Sequence, residues 1–265
     1  MSKIALITGA TSGIGAAFAR ELAAQGYNLG LVGRRAELLQ ALADELAAKH
    51  GIQAEAIRAD LATETGQALA AGWIRTHAPL DLLINNAGFG VPGAFANTPV
   101  EDHLSMLSVH ADATVRLTRA ALPAMLATGR GAIVNVSSPA AYLPMSGNAM
   151  YAATKAFLNI FSEALRAELR GTGITIQALL PGFTYSDFHK RGEYAKQDFY
   201  STLPKWMWMS SEAVAKTSLR ALQRGSLYCI PGLHNRIMVF LAKTGLAGIL
   251  LNSTPLKKKY WKKSK

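Results

Sequence analysis

Tyr151 and Lys155 stand four residues apart in a stretch with helical patterning, so a helix there carries both side chains on one face. An unperturbed tyrosine, with a pKa of about 10, is a poor base at neutral pH. A lysine ammonium one turn away favours the phenolate. The protonated hydroxyl can donate to a nascent alkoxide, so one residue serves carbonyl reduction and alcohol oxidation alike. Among the eight tyrosines of the chain, this is the one Tyr-x-x-x-Lys. Upstream, Ser137 and Ser138 close an apolar run, Ser138 lying thirteen residues before Tyr151. A hydroxyl there can bond a substrate carbonyl oxygen and strengthen that bond as charge develops. Alternation along a strand points only one of the two serines into such a site.

A second set of residues fits a phosphate. The apolar run 4–7 leads into Thr8-Gly9-Ala10-Thr11-Ser12-Gly13-Ile14-Gly15, and helical patterning follows. Glycines at 9, 13 and 15 permit a sharp turn and close approach of a pyrophosphate to the backbone. The N–H groups and positive dipole end of the next helix then face the anion. The next apolar run ends in Gly33, Arg34 and Arg35. An acidic residue here would bond a ribose 2′-hydroxyl, whereas a guanidinium pairs with the 2′-phosphate of NADP, so NADP(H) is favoured over NAD(H). Asp60, followed by Leu61 after the third run, can bond an adenine amino group or can equally cap a helix.

The elements that must position these groups alternate along the chain. Strands are expected near 4–7, 28–32, 53–59, 80–85, 132–137, 174–180 and 227–230. Helices are expected near 14–25, 36–49, 65–76, 100–127, 150–169 and 211–224. Short, nearly unbroken apolar strands are covered on both faces. Repeated βα units therefore predict a Rossmann-like, doubly wound parallel α/β sheet of about seven strands, in one domain spanning 1–265. Residues 183–210 carry aromatics and methionines without a period, including Phe183, Trp206 and Trp208. They read either as a substrate lid or as a loop packed on the body.

Composition narrows the function classes. A chain of 265 residues, half hydrophobic and 17% charged, can bury a full core. The single Cys229 excludes an intramolecular disulfide, and six scattered histidines give no zinc spacing, so no metal is expected. The first apolar run is too short for a signal peptide, which predicts a cytoplasmic protein. The net charge of +11 is uneven: residues 1–212 hold 17 acidic and 17 basic side chains, while 213–265 hold no acid and 11 Lys and Arg.

The glycine pattern of Thr8–Gly15, Asn85-Asn86-Ala87-Gly88, Ser137-Ser138 and Tyr151-Ala152-Ala153-Thr154-Lys155 together resemble the short-chain dehydrogenases/reductases, from Lys3 to about Gly232. The resemblance implies an NADP(H)-dependent oxidoreductase with Ser138, Tyr151 and Lys155 as its catalytic set. Its spacing selects Ser138 over Ser137. It implies that Lys155 also holds the nicotinamide ribose hydroxyls, that Asn86, Ala87 and Gly88 line the ribose, and that Asn85 braces the sheet. Pro181, Gly182, Thr184 and Ser186 resemble the loop that grips the carboxamide. The branch it resembles contains 3-oxoacyl thioester and hydroxysteroid reductases, which implies a hydrophobic carbonyl or alcohol substrate. A homodimer or homotetramer is implied through the helices near 100–127 and 150–169.

The sequence departs from that pattern at His110, where the family has an asparagine whose backbone places a water feeding protons to the lysine. A histidine can join such a relay, or can simply be satisfied by a carbonyl. The basic extension, 233–265, is the other unusual feature. Residues 237–251 are apolar with Lys243 as their one charge, and six lysines follow Leu256. The stretch is short of the ~20 apolar residues of a membrane span. Packing on the body or a partner subunit is favoured over contact with an anionic membrane, and nucleic acid binding is not expected.

Overall fold

The computed structural model describes residues 3–143, 145–190 and 203–244, without the side chains of residues 189 and 190. The apolar runs become seven parallel strands: β1 (Lys3–Thr8), β2 (Tyr27–Gly33), β3 (Ala54–Arg58), β4 (Leu82–Asn85), β5 (Gly131–Val136), β6 (Ile174–Leu179) and β7 (Tyr228–Cys229). They form one sheet in the order β3-β2-β1-β4-β5-β6-β7. The order reverses between β1 and β4, which opens a crevice beyond their carboxyl ends. Parallel register sets Thr8 beside Val32, Asn85 beside Asn135, and Val136 beside Leu179, so the loops that follow emerge along one edge.

Side-chain alternation explains the two covering layers. Ala5, Ile7, Leu82, Ile84, Val134 and Val136 face a core built with α1 (Gly13–Ala23), α2 (Ala36–His50) and α7 (Ser211–Gln223). Leu6, Leu83 and Ile133 face the opposite core, built with α3 (Glu64–Thr76), α5 (Ala113–Thr128) and α6 (Ala149–Glu168). Strands buried on both faces need no polar alternation, which is why the runs read as unbroken apolar segments. Local signals set the starts of two helices: the Thr63 hydroxyl accepts from the Gly66 N–H to begin α3, and that of Ser210 from Ala213 to begin α7.

Three elements differ from the sequence expectation. The helix expected over 100–127 is interrupted: α4 (Val100–Leu107) passes through a π turn (Ser108–Asp112) before α5 begins. The wider turn places Val109, His110 and Ala111 at buried positions in succession. The seventh strand shrinks to two residues. A further helix, α8 (Leu233–Lys243), occupies the start of the basic extension, with Asn235 and Val239 on its buried side.

Within the region read as a lid, Tyr185 N donates to the Met209 carbonyl and Met209 N to that of Phe183, holding the segment's two ends together. The middle of that region, 191–202, and the tail 245–265 lie outside the described residues. Among the described residues, no helix is long and apolar enough to cross a membrane.

Candidate active site

The end of β5 and the first turns of α6 are tied together at buried atoms. Lys155 Nζ donates to the Val136 carbonyl at 2.8 Å, and Ser137 Oγ to the Lys155 carbonyl at 2.8 Å. Ser137 is thus used up inside the fold. Ser138, extended and partly exposed, continues past the strand into the crevice, where its Oγ accepts from Ala140 N at 3.2 Å. The structure itself distinguishes the two serines, because alternation turns Ser137 toward α6.

Tyr151 and Lys155 share a face of α6, with Nζ 5.6 Å from the centre of the phenol ring. Lys155 is only 4% exposed, and burial pushes its ammonium down from the usual lysine range to about 7. The ring of His110 meets Tyr151 edge-on, centroids 5.9 Å apart, and Phe188 approaches the same phenol at 5.8 Å.

His110 is 1% exposed and both of its nitrogens are engaged. Nε2 accepts from Phe89 N at 3.2 Å, which leaves the proton on Nδ1 to donate to Thr154 Oγ1 at 2.9 Å. The Thr154 hydroxyl in turn donates to the Tyr151 carbonyl at 3.0 Å. Burial, and then the charge of Lys155, hold the imidazole well below the usual histidine range, so the ring is neutral. Its lone pair is occupied, so a proton-relay role would first break the bond to Phe89. Gly88 makes room for this ring: a Cβ there would stand 2.7 Å from Nε2.

The glycine turn lies across the switch point from this cluster. A Cβ on Gly15 would collide with the Gly9 carbonyl, and one on Gly9 would meet the Ala87 backbone at 2.9 Å. Thr8, which the sequence reading passed over, is the pin between the two loops. Its buried hydroxyl donates to the Ile84 carbonyl and accepts from Asn86 N and Ala87 N. The Asn86 amide also donates to the Thr8 carbonyl at 2.8 Å. A polar residue closing an otherwise apolar strand, one place before the first glycine, was the signal available for it. Asn85 points into the sheet layer, where its amide donates to Asn135 Oδ1 at 2.9 Å.

The remaining candidates divide by what their side chains do. Arg34 follows β2 with its side chain more than half exposed, its guanidinium 4.0 Å from Asp60 Oδ2. Arg35 instead folds over the turn, donating to Thr11 and Ser12 hydroxyls and pairing with Asp187 at 3.1 Å. Asp60 Oδ1 accepts from Ala62 N, so this carboxylate organises its own turn while facing Arg34. The Leu61 side chain is buried in the core, which leaves its backbone for a ligand, and Ile14, partly buried, packs on the other core. Thr184 is buried and bonds the Gly182 carbonyl, and Ser186 stands where a Cβ on Gly13 would go. A loop of the lid segment is thereby seated on the phosphate turn. A cleft of about 470 Å³ runs from Thr11–Gly13 between α1 and α2 toward Tyr185 and Ser211, and does not reach Ser138, Tyr151 or Lys155.

Tests of fit to a nicotinamide dinucleotide rest on these observations. Gly9, Gly13 and Gly15 let the turn pack against Ala87, Ser186 and its own backbone, the N-terminus of α1 has no side-chain cap at Ser12, and a cationic side chain follows β2. The arrangement fits.

Residues 3–196 match the family model described as short chain dehydrogenase. The sulfoacetaldehyde reductase of Chromohalobacter salexigens is 38% identical over 193 residues, covering 71% of this chain and 75% of that protein. The very-long-chain 3-oxoacyl-CoA reductase of Coprinopsis cinerea is 35% identical over 189 residues, 70% of this chain but only 56% of that protein. Among solved structures, a short-chain dehydrogenase from Sphingobium yanoikuyae in complex with NADPH is 35% identical, with a TM-score of 0.83 over 96% of this chain and 97% of that one.

Proposed function

The chain belongs to the short-chain dehydrogenase/reductase family and is an oxidoreductase of that type, and from that premise we propose that it interconverts a hydrophobic ketone or aldehyde and its alcohol with NADP(H). The observation that supports the reading is the joining of α6, which carries Tyr151, to the end of β5, which leads into Ser138, through the bonds of Lys155 and Ser137.

The glycine turn from Gly9 to Gly15 and the N-terminus of α1 would hold the pyrophosphate. Arg34 would take the 2′-phosphate, with Asp60 and the backbone of Leu61 at the adenine. Asn86, Ala87, Gly88 and Lys155 would face the nicotinamide ribose, and the loop Pro181, Gly182, Thr184 and Ser186 the carboxamide. When bound, the cofactor supplies or takes the hydride. The protein's share is the oxygen. Ser138 Oγ donates a hydrogen bond to the substrate oxygen, and that bond strengthens as the oxygen gains charge. Tyr151 gives its hydroxyl proton to the same oxygen in reduction and takes it back in oxidation. The Lys155 ammonium, a helical turn away, stabilises the phenolate left behind.

The preference for NADP(H) is argued from Gly33, which removes the acidic residue that would select NAD(H), and from Arg34 beside it, which offers a guanidinium. Solved neighbours include complexes with NADPH and with NAD, so the preference is argued from Gly33 and Arg34 alone. The aromatic and methionine side chains of segment 183–210, read as a lid, support a hydrophobic substrate, as does the likeness to a very-long-chain 3-oxoacyl-CoA reductase. A higher identity to a sulfoacetaldehyde reductase, 38% against 35%, shows how little the fold itself says of substrate. Exposed Leu104, Val115, Phe157 and Ile160 on α4, α5 and α6 are the faces on which a second copy is expected.

NADPH consumption with a series of ketones, aldehydes and 3-oxoacyl thioesters tests the reading. At least one should be turned over, and Tyr151→Phe should lower kcat by about 10²–10⁴-fold while NADPH still binds. Native turnover by Tyr151→Phe, or nucleotide binding without turnover across the series, overturns it.

A further inference from the structure

Ser138 opens a single 3₁₀ turn, Pro139–Tyr142, and that turn fixes where its hydroxyl stands. Ser138 Oγ accepts from Ala140 N at 3.2 Å, the Ser138 carbonyl from Ala141 N at 3.1 Å, and the Ala140 carbonyl from Leu143 N at 3.2 Å. One turn of helix does not hold itself in water. Whatever secures its far end, Tyr142, therefore also secures Ser138.

Tyr142 is secured by groups from β7, α6 and α8. The Tyr228 hydroxyl on β7 donates to Glu163 Oε1 of α6 at 2.6 Å. Burial, then side-chain hydrogen bonds with Glu163 and Tyr142, push the Tyr228 phenol up from the usual tyrosine range, so it keeps its proton at neutral pH. Lys243 Nζ, at the end of α8, lies 4.5 Å from the centre of the Tyr142 ring and 4.8 Å from that of Tyr228. An ammonium within about 6 Å of a ring centre is attracted to it, and one shared by two rings fastens them to each other.

The helix that carries this lysine is anchored near its other end. Asn235, 1% exposed, donates from Nδ2 to the Pro231 carbonyl at 2.7 Å. It packs so closely on Gly182 that a Cβ there would collide with its amide. Arg236 Nε donates to the Ile230 carbonyl at 3.0 Å, and Val239 is buried between the two ends. From Asn235 to Lys243 the helix runs about 12 Å. It thus bridges the loop after β6 and the turn after β5, the two segments assigned above to the carboxamide and the substrate oxygen.

We propose that Lys243 is a positioning residue: by clamping Tyr142 against Tyr228 it holds the turn that places Ser138 in the crevice. The start of the basic extension then serves the site as a brace. The clamp stands on the geometry, and its effect on turnover rests on the role given to Ser138 in the proposed function.

The test compares the full chain with Lys243→Met and Lys243→Arg. Hydrogen exchange over 138–143, followed by mass spectrometry, reads the clamp without any substrate. Lys243→Met keeps the side chain's length and loses its charge, and should speed exchange there on the order of fivefold. Lys243→Arg keeps a cation over the rings and should restore the parental rate. With a ketone that the parent reduces, Lys243→Met should lower kcat on the order of tenfold while NADPH affinity holds, and Lys243→Arg should recover it. A methionine variant that exchanges like the parent over 138–143 overturns the proposal. So does one that exchanges faster there yet keeps the parental kcat, or a loss that arginine does not recover. A parent that reduces no carbonyl overturns the proposed function, and the exchange rates still decide the clamp.

Discussion

Removing the Lys155 ammonium from water is unfavourable, and the consequence is measurable apart from catalysis. Unfolded, the side chain keeps its proton to about pH 10.4; folded, burial brings the value to about 7. Between those limits the unfolded chain binds the extra proton, so folding stability rises with pH across the window and is flat with respect to this group below it. The slope available is about 1.4 kcal/mol per pH unit. Urea unfolding at two pH values inside the window should therefore show the parent gaining on Lys155→Met by roughly that amount per unit. Parallel pH dependence in the two proteins would remove the case for a buried, titrating lysine. The same depressed value leaves Lys155 able to exchange protons near neutrality, which suits a residue placed to recharge a phenol.

At the scale of elements, the π turn between α4 and α5 exists to deliver His110 into a bonded chain joining three segments. Phe89 follows the β4 loop, His110 sits on the turn, and Thr154 and Tyr151 belong to α6. Thr154→Val strands the Nδ1–H in a dry interior, a loss of about 1–3 kcal/mol. It should also lower kcat about tenfold by loosening the phenol's placement, with NADPH affinity held. Thr154→Ser keeps the hydroxyl and should restore both. A valine variant with parental stability and kcat would show the chain to be idle. Little of this was legible in the sequence. Apolar periodicity and glycine position carry β1, α1 and the rest of the alternation, because those are local signals. The His110 chain pairs residues from separate segments, and a helical pattern over 100–127 reads the same with or without one wide turn. Alternation admitted only one of Ser137 and Ser138 and the family spacing selected Ser138, while the bond from Ser137 to Lys155 needed the fold. The helix α8 escaped because a short amphipathic stretch opening an apolar, lysine-rich extension has no local stop signal before Gly245.

For the whole molecule, the proposed dinucleotide site draws on both halves of the sheet. The glycine turn and Arg34 follow β1 and β2, while Asn86, Lys155 and the loop after Leu180 belong to β4, α6 and β6. A ligand spanning them holds the halves together and stabilises the folded state by mass action. At a concentration one hundred times its Kd, the gain is about 2.7 kcal/mol, or a rise of roughly 5–10 °C in the thermal midpoint for a chain of this size. Cofactor choice then becomes a property of the unfolding curve, independent of any substrate. If Arg34 takes the 2′-phosphate as proposed, NADPH at equal concentration should raise the midpoint more than NADH. Arg34→Asp should reverse that order: the carboxylate repels the phosphate and can bond the bare 2′-hydroxyl instead. Asp60, 4.0 Å from Arg34 in the parent, would then stand beside a second carboxylate, which opposes the phosphate further. An order unchanged by the substitution would assign the 2′ position to some other cation, and Arg35 would have to leave Asp187 and the turn hydroxyls to serve it.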